Sequence, residues 1–160
     1  MSIKFTKMHG AGNDYVYING FQEKVEDPAA QAEVISDRNF GVGSDGLIMI
    51  LPSTLADIRM RMFNSDGSEA EMCGNGIRCV AKYAYDHGLI RKEKMVIETG
   101  AGELPVQLFL GQDDRVETVQ VNMGKPRLQR SEIPMTGPAD EQAVAIEITA
   151  AGKVFTATCV

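Results

Sequence analysis

The chain has 160 residues, 44% of them hydrophobic and 24% charged, with a formal net charge of −6. That composition suits one ordinary domain, or one domain and part of another, with enough apolar residues for a core and no signature of disorder. The acidic balance and the lack of a dense Lys/Arg cluster argue against a nucleic-acid partner, and no apolar run approaches the ~18 residues a membrane-spanning helix needs.

In chain order, Ile3 and Phe5, then Val16 and Ile18, lie on alternating stretches that predict two strands flanking the loop His9-Gly10-Ala11-Gly12-Asn13-Asp14. Asp27-Pro28 opens a short helix running to about Asp37, an N-cap followed by proline at the first helical position. Gly41 to Gly46 reads as a loop and Leu47 to Leu51 as an apolar strand. Ile58, Met60 and Met62 alternate with Arg59 and Arg61, the mark of a strand with one wet face, which delivers the chain to Asn64. Ile77, Val80, Ala81 and Ala84 recur at i, i+3, i+4 and i+7 and predict a helix that Gly88 stops. Lys94 to Glu98 and Leu104 to Leu110 predict a hairpin through Thr99-Gly100-Ala101-Gly102, followed by a strand over Val116 to Val121. Gly124 to Asp140 carries Pro126, Pro134 and Pro138 without a period and reads as a long connection. A second hairpin is expected over Ala143 to Thr149 and Val154 to Val160, and a chain that stops inside a strand is expected to be cut from something longer. Eight or nine strands to two helices make an α+β protein, mostly antiparallel, with the Ile77 helix at its centre.

The chemistry concentrates between Asn64 and Arg78. Asp66-Gly67-Ser68 turns the chain, and Cys73 then stands at the mouth of the Ile77 helix, beside the bare backbone of Gly74 and Gly76. A helix start leaves N–H groups unpartnered and carries partial positive charge. It therefore holds a carboxylate and stabilises a thiolate beside it. A carboxylate docked next to a basic sulfur points to proton chemistry at the carbon α to that carboxylate. A merely buried cysteine, the common fate of an isolated Cys, needs none of these neighbours.

Cys79 lies a rise of ~9 Å and a rotation of ~240° further along the helix, points away from Cys73 and reads as packing. Cys159 reads as core or interface. Three cysteines without an export signal indicate reduced thiols and the cytoplasm. No C-x₂-C pair or histidine spacing suits zinc, and neither Gly10-x-Gly12 nor Gly41-x-Gly43 sits in the strand–GxGxxG–helix order of a dinucleotide site. His87 is expected at the negative end of the helix and His9 in loop packing. Asn13 and Asn64, each at a strand end, read either as turn residues or as amides offered to a substrate, and Asn75 adds a third. Arg78 and Glu71 flank the turn as an ion pair or cap, with Arg78 also able to add positive potential near the thiol.

Asn64-x-Asp66-Gly67-Ser68-x₄-Cys73-Gly74-Asn75-Gly76-x-Arg78 resembles the first active-site signature of the diaminopimelate epimerase family. Met8-His9-Gly10-x-Gly12-Asn13-Asp14-Tyr15 resembles that family's N-terminal motif, and Gly41-x-Gly43-x-Asp45-Gly46 a third shared segment; together the resemblance covers residues 1 to 122. It implies a curved, mostly antiparallel sheet wrapped around a central helix in each of two pseudo-symmetric halves, here 1–117 and an incomplete second half over 118–160. It implies interconversion of LL- and meso-diaminopimelate on the route to lysine, without cofactor or metal, by two cysteines that take and return the α-proton on opposite faces. Carried over, Cys73 is the first thiol, Gly74 and Asn75 cradle the substrate carboxylate, and Asn13 and Asn64 bind substrate; no contact is assigned to Gly46. The second signature, an Ala-Cys-Gly-Thr-Gly-type turn, is absent. The chain is therefore expected to supply the first thiol only and to lack epimerase activity alone. The alternatives are another superfamily isomerase, such as a proline or hydroxyproline epimerase or a phenazine-type isomerase, a non-catalytic anion-binding module, or a redox-sensing thiol. The expected partner is the amino-acid substrate, with no nucleic acid and no membrane, and a homodimer is left open.

Overall fold

The computed structural model describes residues 2–160, which form two compact units dividing after Met123. The first unit opens on a hairpin. β1 (Thr6–Gly10) and β2 (Asn13–Asn19) pair antiparallel with Gly10 opposite Asn13. Between them, Ala11 and Gly12 carry φ of 54° and 87°, the left-handed pair whose twist matches that of the flanking strands. The expected loop from His9 to Asp14 is thus a tight turn, and its polar residues belong to the ladder. The first strand accordingly starts at Thr6, not at Ile3.

Asp27 caps α1 (Pro28–Ser36), its carboxylate accepting the Ala30 N–H at 3.1 Å. This helix carries the chain over to β3 (Gly46–Leu51), which pairs parallel with β2 and antiparallel with β4 (Ile58–Asn64). β5 (Glu69–Ala70), just after the Asp66-Gly67-Ser68 turn and not expected from the sequence, pairs back on β4. α2 (Gly74–Asp86) is the second crossover, leading to β6 (Lys94–Thr99) parallel to β4. β7 (Gly102–Leu110) and β8 (Val116–Val121) complete an eight-stranded sheet in the order β1-β2-β3-β4-β6-β7-β8, with β5 off that path. The expected boundary at 117/118 falls inside β8, which is laddered to β7 through Val106–Leu110. For that reason the compact units separate later.

α2 touches both β1 and β8, the strands at the two ends of the sheet order, so the sheet curls around it. Ile77, Val80, Ala81 and Ala84 are fully buried against Tyr17, Ile48, Ile50, Ile58, Met60, Ile97 and Leu108 on the concave face. Val16, Ile18, Leu47, Met49 and Phe63 point to the other face, where they pack with Ala32 of α1. β2 and β3 are therefore covered on both sides, which explains the unbroken apolar run from Leu47 to Leu51. Each large aliphatic side chain so enclosed contributes about 1.5–3 kcal/mol. No helix among the described residues is long and apolar enough to cross a membrane.

The second unit has a smaller core, with Ala143 its one buried hydrophobic residue among those described. An isolated bridge joins Gln129 to Gln142, and β9 (Ile146–Ala150) and β10 (Lys153–Ala157) form a two-stranded hairpin turning at Ala151-Gly152. Cys159 is half-buried, its backbone N–H bonded to the Ala143 carbonyl at 2.9 Å.

Candidate active site

The thiol turn is assembled by β4 and α2. Asn64, the last residue of β4, pairs backbone to backbone with Ser68, and its side-chain amide donates to the Ser68 hydroxyl at 3.0 Å. Asp66 accepts from the Ser68 N–H at 2.9 Å and from its hydroxyl at 2.5 Å, closing the turn. The chain returns through β5 to Cys73, which is extended (φ −137°, ψ 115°) and is the N-cap of α2. Its Sγ accepts the Gly76 N–H at 3.3 Å, and its carbonyl accepts the Ile77 N–H at 2.9 Å. The amides of Gly74 and Asn75 lie in the first turn, where no intrahelical acceptor exists for them. Cys73 is half-buried and packs against the α2 core.

The β1–β2 hairpin closes over this turn. A Cβ built at Gly10 would stand 2.9 Å from the Asn75 carbonyl oxygen, so only a bare backbone fits there. Asn13 opens β2, and its Oδ1 is buried without a hydrogen-bond partner. Two residues on, the same strand face carries Tyr15, buried at 4% exposure. Burial, and then the neighbouring Cys73 thiol, push the Tyr15 phenol up to about 12, while the Asn13 side chain pulls in the other direction. The Tyr15 ring lies against Gly46, which stands opposite Asn64 in the β3–β4 ladder. Asn13, Asn64, Cys73, Gly74 and Asn75 thus come from three stretches of chain and converge around Tyr15 and the start of α2.

Tyr15 was given no role from sequence, and Arg78 was expected in an ion pair or cap. Tyr15 was legible in principle, because the Asn13-x-Tyr15 spacing puts both side chains on one strand face. Arg78 makes no ion pair among the described residues. It bonds instead to the Gly74 carbonyl at 3.0 Å and to Asn75 Oδ1 at 2.6 Å. The remaining expectations separate cleanly. Cys79 is buried, and burial pushes its thiol up, away from reactivity. His87 sits at the C-cap of α2 and stacks on Tyr83 with ring centroids 4.0 Å apart, while His9 lies in β1 opposite Asp14.

Behind the site, Asp14 and Asp45 staple β2 to the loop before β3. The Asp45 N–H donates to the Asp14 carbonyl at 2.7 Å, and the Asp14 N–H to the Asp45 carboxylate at 3.0 Å. Arg38 bridges both carboxylates at 2.8 and 2.9 Å, and Lys7 pairs with Asp14 at 3.0 Å. Hydrogen bonds from Arg38, then Lys7, hold the Asp14 carboxyl down at about 2.

The sequence model of the diaminopimelate epimerase family matches residues 5–129, which span every one of these site residues. The chain belongs to the diaminopimelate epimerase family. It is 52% identical over 164 residues to a diaminopimelate epimerase of Agathobacter rectalis, covering 99% of this chain and 57% of that protein. It is 51% identical over 159 residues to one from Acetivibrio thermocellus, covering 99% and 56% respectively. The chain thus spans little more than half the length of these relatives. Among solved structures, a hydroxyproline epimerase from Agrobacterium vitis shares the fold, with a TM-score of 0.57 at 17% identity over 74% of this chain and 40% of that one. The resemblance carried by the Cys73 signature and the expected α+β sheet around a central helix both hold.

Proposed function

We propose that this chain supplies one acid–base half of an amino-acid epimerase whose substrate is diaminopimelate. The observation that carries the reading is the Cys73 sulfur at the start of α2, 3.3 Å from the Gly76 N–H and beside the Gly74 and Asn75 amides. A substrate carboxylate docked on those amides meets about half a unit of positive charge from the helix. The Cys73 thiolate then takes the α-proton, and the electron pair left on carbon delocalises into the carboxylate, whose oxygens gain charge where the donors already point. Asn13, with its buried and unpartnered Oδ1, accepts from the substrate ammonium, and Asn64 contributes its amide from the facing strand end. The step uses only the chain's own groups.

Inversion requires a second acid on the opposite face of the carbon. One thiol alone returns the proton to the face it came from, giving exchange without inversion. The free state of all three cysteines supports a reducing compartment, and we place the protein in the cytoplasm.

The test is to incubate the protein with LL-diaminopimelate in D₂O and follow the α-proton by NMR. Deuterium incorporation that Cys73→Ala abolishes is the expected result; exchange that survives the substitution, or none with Cys73 intact, refutes the assignment. A parallel panel of proline, hydroxyproline and glutamate tests the substrate class. The same samples test whether the purified chain inverts: LL-to-meso conversion, free of host enzyme, overturns the expectation that it does not.

A further inference from the structure

We infer that Arg78 is a positioning residue that sets which end of the Asn75 side chain faces the substrate carboxylate, an inference that rests on the carboxylate-cradle reading above. An asparagine amide has an acceptor end and a donor end, interchanged by a half-turn about its last torsion. A guanidinium can only donate. With Arg78 Nη2 2.6 Å from the Asn75 amide oxygen, the half-turned arrangement would set donor against donor. The oxygen is therefore committed to Arg78, and the two N–H donors are left for an anion.

A second bond makes the arrangement rigid. Arg78 Nη1 donates to the Gly74 carbonyl at 3.0 Å, so one planar guanidinium grips the backbone of Gly74 and the side chain of Asn75 at once. Across the turn, the Gly10 backbone lies close by, leaving no room for a Cβ beside the Asn75 carbonyl. The Asn75 side chain is held by Arg78 in a turn that the hairpin closes over. Because Arg78 pairs with no carboxylate among the described residues, its positive charge also remains uncancelled beside the cradle. An anion gains from both effects, whereas proton transfer at Cys73 needs neither directly.

The experiment measures the affinity of the ¹⁵N-labelled protein for meso-diaminopimelate by NMR titration, following the Asn75 side-chain NH₂ signals where they are present. Four variants accompany the wild type: Arg78→Met, Arg78→Lys, Asn75→Ala and the Arg78→Met/Asn75→Ala pair. Arg78→Met should weaken binding about tenfold, the loss expected when one oriented donor set is freed. Arg78→Lys keeps the charge but reaches only one oxygen, and should recover part of that loss. The double variant should lose clearly less than the product of the two single losses, because part of the Arg78 effect acts through Asn75.

Wild-type affinity in Arg78→Met, or a double-variant loss equal to the product of the two single losses, overturns the inference. If Arg78→Met does not fold, Arg78→Lys decides: unchanged affinity together with unshifted Asn75 NH₂ signals overturns it. Asn75→Ala binding as tightly as wild type overturns the inference, because the side chain then contributes nothing, and leaves the backbone cradle of Gly74 and Asn75 standing; no binding of meso-diaminopimelate by the wild type refutes the cradle itself.

Discussion

Replacing Cys73 by serine separates the two things this residue does. As the N-cap of α2, its sulfur accepts the Gly76 N–H at 3.3 Å. A thiol is a weak acceptor, and serine is among the preferred N-caps. Losing a good cap costs about 1 kcal/mol, so the weak Cys73 cap is worth about 0.5 kcal/mol and a serine cap about twice that. Cys73→Ser should therefore fold at least as stably as the natural chain, by up to about 0.5 kcal/mol, despite the half-buried position. Cys73→Ala should lose about 0.5–1 kcal/mol. The two variants then differ by about 1 kcal/mol, which for an m-value of about 2 kcal/mol/M is about 0.5 M in the urea midpoint. The near-UV circular dichroism of tyrosine reports the right unit, because Tyr15, Tyr17, Tyr83 and Tyr85 are the only tyrosines and all are buried in the first unit. α-Proton exchange should meanwhile fall at least about 100-fold in both variants, the scale of a lost general base. Serine and alanine variants with the same midpoint, or both destabilised by more than about 2 kcal/mol, would show that Cys73 is held by packing and that the cap argument is wrong.

Further outcomes follow from the same geometry. Ile77→Ala removes a fully buried side chain from a helix enclosed by the curled sheet, where collapse is restricted, and should cost about 3–4 kcal/mol; Val34→Ala on the exposed side of α1 should stay within about 0.5 kcal/mol, both read by urea unfolding. Because Asp14 is held at about 2 against an ordinary 3.8, its contribution is present at neutral pH and disappears as the pH falls from about 4 to about 2. Arg38→Gln, which removes the largest cause, should flatten the acid limb of a stability-against-pH curve; an unchanged limb would exclude the Arg38–Asp14 pair as its source. Iodoacetamide followed by peptide mass mapping should label half-buried Cys73 in the folded protein and buried Cys79 only after unfolding. Equal labelling of the two would contradict the exposure and the environment assigned to them.

Local information was enough for the parts of this protein that depend on near neighbours. The helical period of Ile77, Val80, Ala81 and Ala84 marks α2, and the placement of Cys73 at its N-cap follows from counting back along the chain. The Asp27-Pro28 cap, the Thr99–Gly102 hairpin and the wet face of β4 are similarly local, each a matter of a few consecutive residues and their preferred dihedrals. Tertiary structure decided the rest, because strand partners and polar contacts are chosen between residues far apart in sequence. No spacing within β2 or β4 reveals that β2 lies parallel to β3, that β4 lies parallel to β6, or that the sheet curls until β1 and β8 both reach α2. That curling alone sets Gly10 against Asn75 and Tyr15 beside Cys73. The partner of Arg78 illustrates the limit even at short range: a charged side chain on a helix can pair, cap or point into water with little difference in local energy. Only the packed first turn, with the hairpin closed over it, directs Arg78 to the oxygens of Gly74 and Asn75.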